Sequence, residues 1–336
     1  MKKINAAIVG ASGYTGIELI KILINHPNFN LSYAGTSEGG VKISDLHPSL
    51  LHVVDIDVKK SDAREIAKTC ELAFLALPHK TAMEFAKELL NLGVKVVDLS
   101  ADYRLSLENY EKHYGVHLDK EHLKNAVYGL PELNREKIKK ASLVANPGCY
   151  PTASILAIAP FAPYIKKETP IFIDAKSGVS GRGKKITESE HFVNVNENFL
   201  TYNALKHRHE PEIAEILTLH GIANNIHFVP HLLPITRGML VSAYIQVNTE
   251  IDAFKVLTSF YKDEQFVRIR ENTVSLKLTA GTNFCDIFAI QKDDIVFVSS
   301  SIDNLLRGAS AQAVVNANLM FGFEESAGIP KVSYVP

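Results

Sequence analysis

The sequence predicts an α/β fold, a Rossmann-type doubly wound parallel sheet joined to an α+β catalytic domain on a mixed or antiparallel sheet. Three observations carry that prediction. Apolar runs alternate with amphipathic stretches through the first 145 residues, as a parallel sheet covered by helices on both faces requires. The turn GASGYTG, at 10–16, stands between the first apolar run and the first amphipathic stretch, where a mononucleotide-binding unit carries its phosphate loop. After Cys149 the texture changes, and strand-like runs follow one another with few helices between. A chain of 336 residues also exceeds what one core usually organises. Two domains are therefore expected, with the change of texture at Cys149 as their boundary.

In chain order, INAAIVG reads as a buried strand, TGIELIKILINH as a helix with Ile17, Ile20, Leu23 and Ile24 on one face, and LSYAGTS as a second strand. ELAFLALP is another buried strand, KTAMEFAKELLNLG a helix stopped by Gly93, VKVVDLS a strand, and ASLVANPG one more. Beyond it, CYPTASILAIAPF and HEPEIAEILTLHG read as helices. PIFIDAKSG, IHFVPHL, GMLVSAYIQV, FCDIFAIQ and DIVFVSSS read as strands, and NLLRGASAQAVVNANLMFG as a helix apolar enough to pack back onto one of the domains. No internal repeat or long linker interrupts the pattern.

Composition narrows the function. Lys+Arg 36 against Asp+Glu 37 leaves no electrostatic footprint for nucleic acid or an anionic membrane, so a small molecule is the expected partner. The apolar run at the N-terminus breaks at Gly10 and does not make a signal-peptide core. Cys70, Cys149 and Cys285 are odd in number and far apart, which argues for a reducing, cytoplasmic setting rather than a disulfide framework.

Two stretches carry chemistry. Glycines at 10, 13 and 16 make a GxxGxxG spacing with Ser12 near the usual middle position, and Tyr14, Thr15 and Gly16 open the helix whose amides face a pyrophosphate. The second strand ends in Thr36-Ser37-Glu38, with Lys42 soon after. Small hydroxyl side chains such as Ser37 leave room for a 2′-phosphate and favour NADP, while Glu38 keeps NAD open. The second stretch is NPGCYPT, at 146–152. It places Cys149 behind a Pro-Gly turn at a helix start, where amides and the helix dipole favour the thiolate. The backbone N–H groups of Cys149 and Tyr150 are then candidates for an oxyanion hole.

With LALPH (75–79), DLSADYR (98–104), YGLPELN (128–134), DAKSGVSGRG (174–183), HRHEPEI (207–213), HFVPHLLPITRGM (227–239) and SSSIDNLLRGASAQAVVNANLMFG (299–322), these stretches run over nearly the whole chain. Together they resemble the N-acetyl-γ-glutamyl-phosphate reductase family, which belongs with the aspartate-semialdehyde dehydrogenases. The resemblance implies an NADPH-dependent oxidoreductase of arginine biosynthesis that reduces an acyl phosphate to an aldehyde through a cysteine thioester. It implies Cys149 as nucleophile, His209 as acid/base with His207 in reserve, and Glu212, one helical turn on, orienting His209. It also implies Arg104 and Asn146, with Lys176 and Arg237, at the leaving phosphate, and a C-terminal helix that returns to the first domain, so that 1–148 with 316–336 hold the dinucleotide and 149–315 serve catalysis and oligomerisation. The antiparallel sheet of the second domain offers a face to a second subunit, and a homodimer or homotetramer is expected. One departure is GRG at 181–183, followed by Lys184 and Lys185, where the family has Gly-Ala-Gly-Arg; Arg182 stands in or is solvated. Glu188 and HFVNVNENF are assigned to the acetamido end by analogy alone. His227 and His231, four apart in a strand-like segment, do not make a helical metal pair, and no metal is expected. Aspartate-semialdehyde dehydrogenase, a reductase of carrier-bound aminoadipyl phosphate, and an NADP-binding redox sensor are the competing readings.

Overall fold

The structure is a computed structural model that describes residues 3–184, 188 and 191–334. The chain divides into two compact units, Met1–Pro147 with Ala309–Pro330, and Gly148–Gly308 with Lys331–Pro336.

The first unit is built on strands Ile4–Val9 (β1), Phe29–Thr36 (β2), Val41–Lys42 (β3), Asp57–Lys60 (β4), Leu72–Leu75 (β5), Lys95–Asp98 (β6), Val127–Tyr128 (β7) and Leu143–Ala145 (β8). They form one sheet in the order β3-β4-β2-β1-β5-β6-β8-β7. All its pairs are parallel except β3 with β4. The central strands are apolar on both faces because helices cover both: Ala6 to Val9 and Leu72 to Leu75 are all fully buried. The strand order reverses between β1 and β5, so the crevice beyond their carboxyl ends is where such a sheet binds ligands.

The helix Tyr14–Leu23 is buried more widely than the expected single stripe, with Leu19 and Ile22 inside and Ile17 and Ile24 only partly covered. The cause is the returning helix Ser310–Met320, buried along its whole length and packed against it. Its polar residues are bonded inward: Asn316 Nδ2 donates to the carbonyl of Gly129 at 2.9 Å and to Asn146 Oδ1 at 3.0 Å, and Gln312 Nε2 to Gly129 at 3.1 Å. Helix was expected from Asn304, but it begins only at Ser310, behind Ala309 at φ −158° and ψ −92°. The returning segment thus runs from Ala309 to Pro330, rather than over 316–336. The last residues belong with the second unit, where Tyr334 lies over Gly281.

The second unit contains Ile171–Gly178 (β9), Leu200–Thr201 (β10), Ile226–Leu233 (β11), Met239–Gln246 (β12), Val267–Ile269 (β13), Cys285–Lys292 (β14) and Ile295–Ile302 (β15). The sheet order is β10-β11-β9-β12-β15-β14-β13. It is mixed: β11 with β9 and β13 with β14 are parallel, the remaining pairs antiparallel. The helix Cys149–Ile158 packs on one face of this sheet against β12 and β15. Ser300 Oγ donates to the Ala153 carbonyl at 2.8 Å and the Tyr261 hydroxyl to that of Leu156 at 2.6 Å. On the other face Phe172, Tyr244 and Ile290 are exposed. Among the described residues no helix is long and apolar enough to cross a membrane.

Gly129 shows how tightly the returning helix is seated, since a Cβ there would stand 2.4 Å from Asn316 Nδ2 and 2.6 Å from Val144. Gly129→Ala is expected to lower stability by about 1–3 kcal/mol, the usual cost of overpacking. Urea unfolding reads it, and an unchanged midpoint would contradict the packing described.

Candidate active site

In the first unit the glycine loop follows β1 directly. Gly10 has φ +96°, and a Cβ on it would lie 2.2 Å from the carbonyl oxygen of Ala76, just past β5. A Cβ on Gly16 would lie 2.5 Å from the Gly10 carbonyl oxygen, whereas Gly13 meets nothing closer than 3.8 Å. Two glycines are thus demanded by close packing and the third leaves the approach open. The amides of Gly10 and Ala11 both donate to the Gly35 carbonyl, at 2.9 and 3.0 Å, which ties the loop to β2. His47, a residue the sequence reading passed over, donates Nε2–H to the Ala11 carbonyl at 2.7 Å. Ser310 Oγ donates to the Thr15 carbonyl at 2.9 Å. Gly13 caps the helix without a side-chain bond, and the first intrahelical bond runs from the Ile17 amide to the Gly13 carbonyl at 3.0 Å. The amides of Tyr14, Thr15 and Gly16 therefore have no helical acceptor. These residues fit the pyrophosphate of a dinucleotide. At the end of β2, Ser37 and Glu38 are exposed, Thr36 Oγ1 accepts the Gly39 amide at 3.0 Å, and Lys42 is held between Asp55 and Asp57 at 2.9 and 2.8 Å.

Arg104 and Asn146 meet at the carboxyl ends of β6 and β8. The Arg104 Nε donates to the Asn146 carbonyl at 2.8 Å and Nη2 to that of Leu99 at 2.7 Å. Asn146 is buried, and its Nδ2 donates to the Ala309 carbonyl at 3.1 Å. Its side chain thus braces the returning segment. Asp98 beside them is completely buried; burial pushes its carboxyl up to about 7 against the opposing bonds from Ser100.

In the second unit Cys149 is the first residue of its helix, behind Gly148 as cap. It is half-buried, while Tyr150 to Ile158 are buried without exception. Gly308, also missed in the sequence, presses on it: a Cβ there would stand 2.6 Å from the Cys149 Cβ. Cys70 and Cys285 lie in the core, and burial pushes the Cys70 thiol up. None of the three forms a disulfide.

Glu212 is buried, and its Oε1 accepts the Gly148 amide at 3.0 Å. It therefore fastens the start of the Cys149 helix to the helix His209–Leu219, a link that a one-turn spacing argument does not reveal. The His207 and His209 rings stand 4.8 Å apart, at 5.5 and 5.9 Å from the Tyr150 ring. The His209 amide donates to His207 Nδ1 at 3.1 Å, so that nitrogen acts as acceptor. Burial, followed by the charges of Arg208 and Arg182, holds the His207 imidazole down at about 4. His207 is thus neutral near pH 7.

The Tyr150 hydroxyl lies 3.0 Å from that of Tyr202. Burial, then Tyr202, raises the Tyr150 phenol, and burial pushes Tyr202 up to about 12. Arg182 stacks over the Tyr202 ring at 5.0 Å, which gives it an aromatic partner beside the histidines. Lys176 and His231 share Asp174 Oδ1, each at 3.0 Å. Arg237 pairs with the wholly buried Asp303 at 3.0 Å, and Asp303 also accepts the amides of Leu305, Leu306 and Gly281. Arg237 thereby anchors a turn network. His227 stacks on Phe172 at 5.2 Å. Among the described residues no group of three or more His, Cys, Asp or Glu is placed to hold a metal ion. Lys184 and Glu188 are exposed, and Lys185 lies outside the described residues.

Residues 5–141 match the semialdehyde dehydrogenase NAD binding domain, and 149–304 the semialdehyde dehydrogenase dimerisation domain. Among solved structures, aspartate semialdehyde dehydrogenase with NADP from Candida albicans superimposes with a TM-score of 0.72 at 15% identity, over 95% of this chain and 99% of that one. That likeness shows the fold. N-acetyl-gamma-glutamyl-phosphate reductase of Wolinella succinogenes is 57% identical over 100% of both chains. The enzyme of that name from Sulfurimonas denitrificans is 58% identical over 336 residues, again 100% of both chains. With likeness at that level from end to end, and with the cysteine, histidine and glycine-loop geometry in place, the chain belongs to the N-acetyl-gamma-glutamyl-phosphate reductase family.

Proposed function

We propose that the protein reduces N-acetyl-γ-glutamyl phosphate to N-acetylglutamate 5-semialdehyde and inorganic phosphate with NADPH, in arginine biosynthesis. The observation that carries the reading is Cys149, half-exposed at the start of an otherwise buried helix in a chain alike from end to end to reductases of that name. The Cys149 Sγ attacks the acyl carbon, the bond from that carbon to the phosphate oxygen breaks, and a thioester remains on the protein. A helix start favours the thiolate, and the amides of Cys149 and Tyr150 are assigned to the oxyanion. When bound, the dinucleotide supplies the hydride that the thioester carbon takes up. The C–S bond then breaks, the aldehyde leaves and the thiolate returns. His209 takes the thiol proton and returns it, because His207 is held neutral with Nδ1 occupied. Glu212 positions the helix start through Gly148. Arg104 is assigned the leaving phosphate, with Lys176 and Arg182 as further cations.

Gly10, Ser12, Gly13, Tyr14, Thr15 and Gly16 are assigned the pyrophosphate. Exposed Ser37, small and hydroxylic, supports NADP over NAD. A homo-oligomer forms through the sheet face that carries Phe172, Tyr244 and Ile290, whose exposure supports it. The biosynthetic role and the three thiols support a cytoplasmic location.

The test is the reverse reaction, followed by NADPH absorbance with N-acetylglutamate semialdehyde, phosphate and NADP. Phosphate-dependent turnover is expected with that aldehyde and not with aspartate semialdehyde; the opposite preference would move the protein to the sister activity. Cys149→Ala is expected to abolish turnover, and His209→Asn to lower kcat by about 10²–10⁴-fold, the span of general acid–base catalysis. Full activity in either variant removes that residue from the mechanism.

His207 also predicts an acid dependence. An imidazole whose folded-state pKa lies below its unfolded value of 6.5 stabilises the fold above that pH, and the contribution is lost as the pH falls toward about 4. Urea unfolding of the protein and of His207→Asn between pH 7 and 4.5 should show a shallower acid loss in the variant. Parallel curves would mean that His207 is not held neutral by its surroundings.

A further inference from the structure

Asp102 does chemistry in none of the steps above, yet it is completely buried and three donors converge on it. Its Oδ2 accepts the amides of Lys80 and Met83 at 2.8 and 3.1 Å, and its Oδ1 accepts the Tyr110 hydroxyl at 2.8 Å. All three of these donors are neutral groups, two backbone amides and a phenol. A buried carboxylate compensated only by neutral donors is an expensive way to hold a loop. Lys80, which gives one of those donors, stands at φ +69° as cap of the helix Thr81–Asn91. A lysine held in the left-handed region stores strain, and such strain collects around working sites.

The loop that Asp102 anchors is the one that presents Arg104. Its other donors are also committed: the Ser100 amide to Asp98 Oδ1 at 3.0 Å, the Ala101 amide to His79 Nδ1 at 3.1 Å, and the Asp102 amide to Ser100 Oγ at 3.0 Å. The Arg104 amide closes a turn on the Ala101 carbonyl at 3.4 Å. The guanidinium then folds back onto the loop's own Leu99 carbonyl at 2.7 Å. The loop therefore sets one side of the guanidinium, and the Asn146 carbonyl, accepting from Nε at 2.8 Å, sets the other. Asp102 fixes the loop to the helix beyond β5 through Lys80 and Met83, and to the helix Leu107–Tyr114 through Tyr110.

We infer that Asp102 is a positioning residue for phosphate recognition: its bonds to Lys80, Met83 and Tyr110 preset the guanidinium of Arg104 before the phosphoryl group arrives. The inference rests on the assignment of Arg104 to the phosphate made above. An arginine already in place loses no loop entropy on binding, so loosening the loop weakens phosphate binding while leaving the dinucleotide and thiol chemistry alone.

The experiment measures KM for inorganic phosphate, KM for the aldehyde, kcat and the NADP Kd in the reverse direction for Asp102→Asn, Tyr110→Phe and Arg104→Ala, beside melting temperatures. Asp102→Asn keeps the shape and removes the charge; phosphate KM should rise about 10-fold, with the aldehyde KM and NADP Kd within about twofold. Tyr110→Phe, which removes one donor only, should raise phosphate KM by about threefold. A purely structural Asp102 would lower the melting temperature and leave phosphate KM unchanged, and that result overturns the inference. If Asp102→Asn does not fold, Tyr110→Phe decides on the same criterion. Arg104→Ala separates the two layers: if it too leaves phosphate KM unchanged, the phosphate assignment falls and the inference with it. If it raises phosphate KM while the other two do not, only the inference falls.

Discussion

The helix Cys149–Ile158 is buried along nine of its ten residues, and the tenth is the cysteine. An element covered on every side is fixed by packing against β12 and β15 and by the bonds from Ser300 and Tyr261, so its N-terminus points where the core dictates. A thiol at that end inherits a defined position at the positive end of a helix, with no need of a mobile loop to carry it. Gly308 closes against Cys149 on one side, and Glu212 holds the Gly148 amide on another. The carboxylate of Glu212 opposes the thiolate electrostatically, and its value lies in geometry: it fixes the helix that opens at His209 to the helix that opens at Cys149.

The first unit follows the same rule with different parts. Gly10 and Gly16 bring backbone against backbone, His47 and Gly35 hold the loop from below, and the uncapped helix start is what remains for an anion. Around Asp98 and Asp102 a second polar network shapes the carboxyl end of the sheet and delivers Arg104. In both units the groups assigned to chemistry are few, and the buried polar residues that orient them are more numerous.

Much of this was legible in the sequence wherever burial leaves a periodic or continuous trace. INAAIV and LAFL read as central strands because both their faces are covered, and the glycine spacing reads because the turn needs it. The strand Asp57–Lys60 did not, since it buries only Val58 and shows three exposed polar residues at the sheet's flank. The start of the last helix was misplaced because Asp303 bonds the amides of Leu305 and Leu306 in a turn, an arrangement with the composition of a helix. Most of what orients the site was hidden for a different reason. Glu212 with Gly148, Arg237 with Asp303 and His47 with Ala11 are pairs far apart in the chain, and one sequence carries no mark of who meets whom. The depressed basicity of His207 is likewise an effect of burial and neighbouring charge, not of residue type.

The covalent step at Cys149 is most directly tested by trapping it. The protein is incubated with N-acetylglutamate semialdehyde and NADP without phosphate, quenched in acid, and its intact mass and peptides are recorded. One N-acetylglutamyl adduct on the peptide containing Cys149, discharged when phosphate is added before the quench, is the predicted result. No adduct under conditions where the full reaction turns over, or an adduct on Cys70 or Cys285 instead, would contradict it.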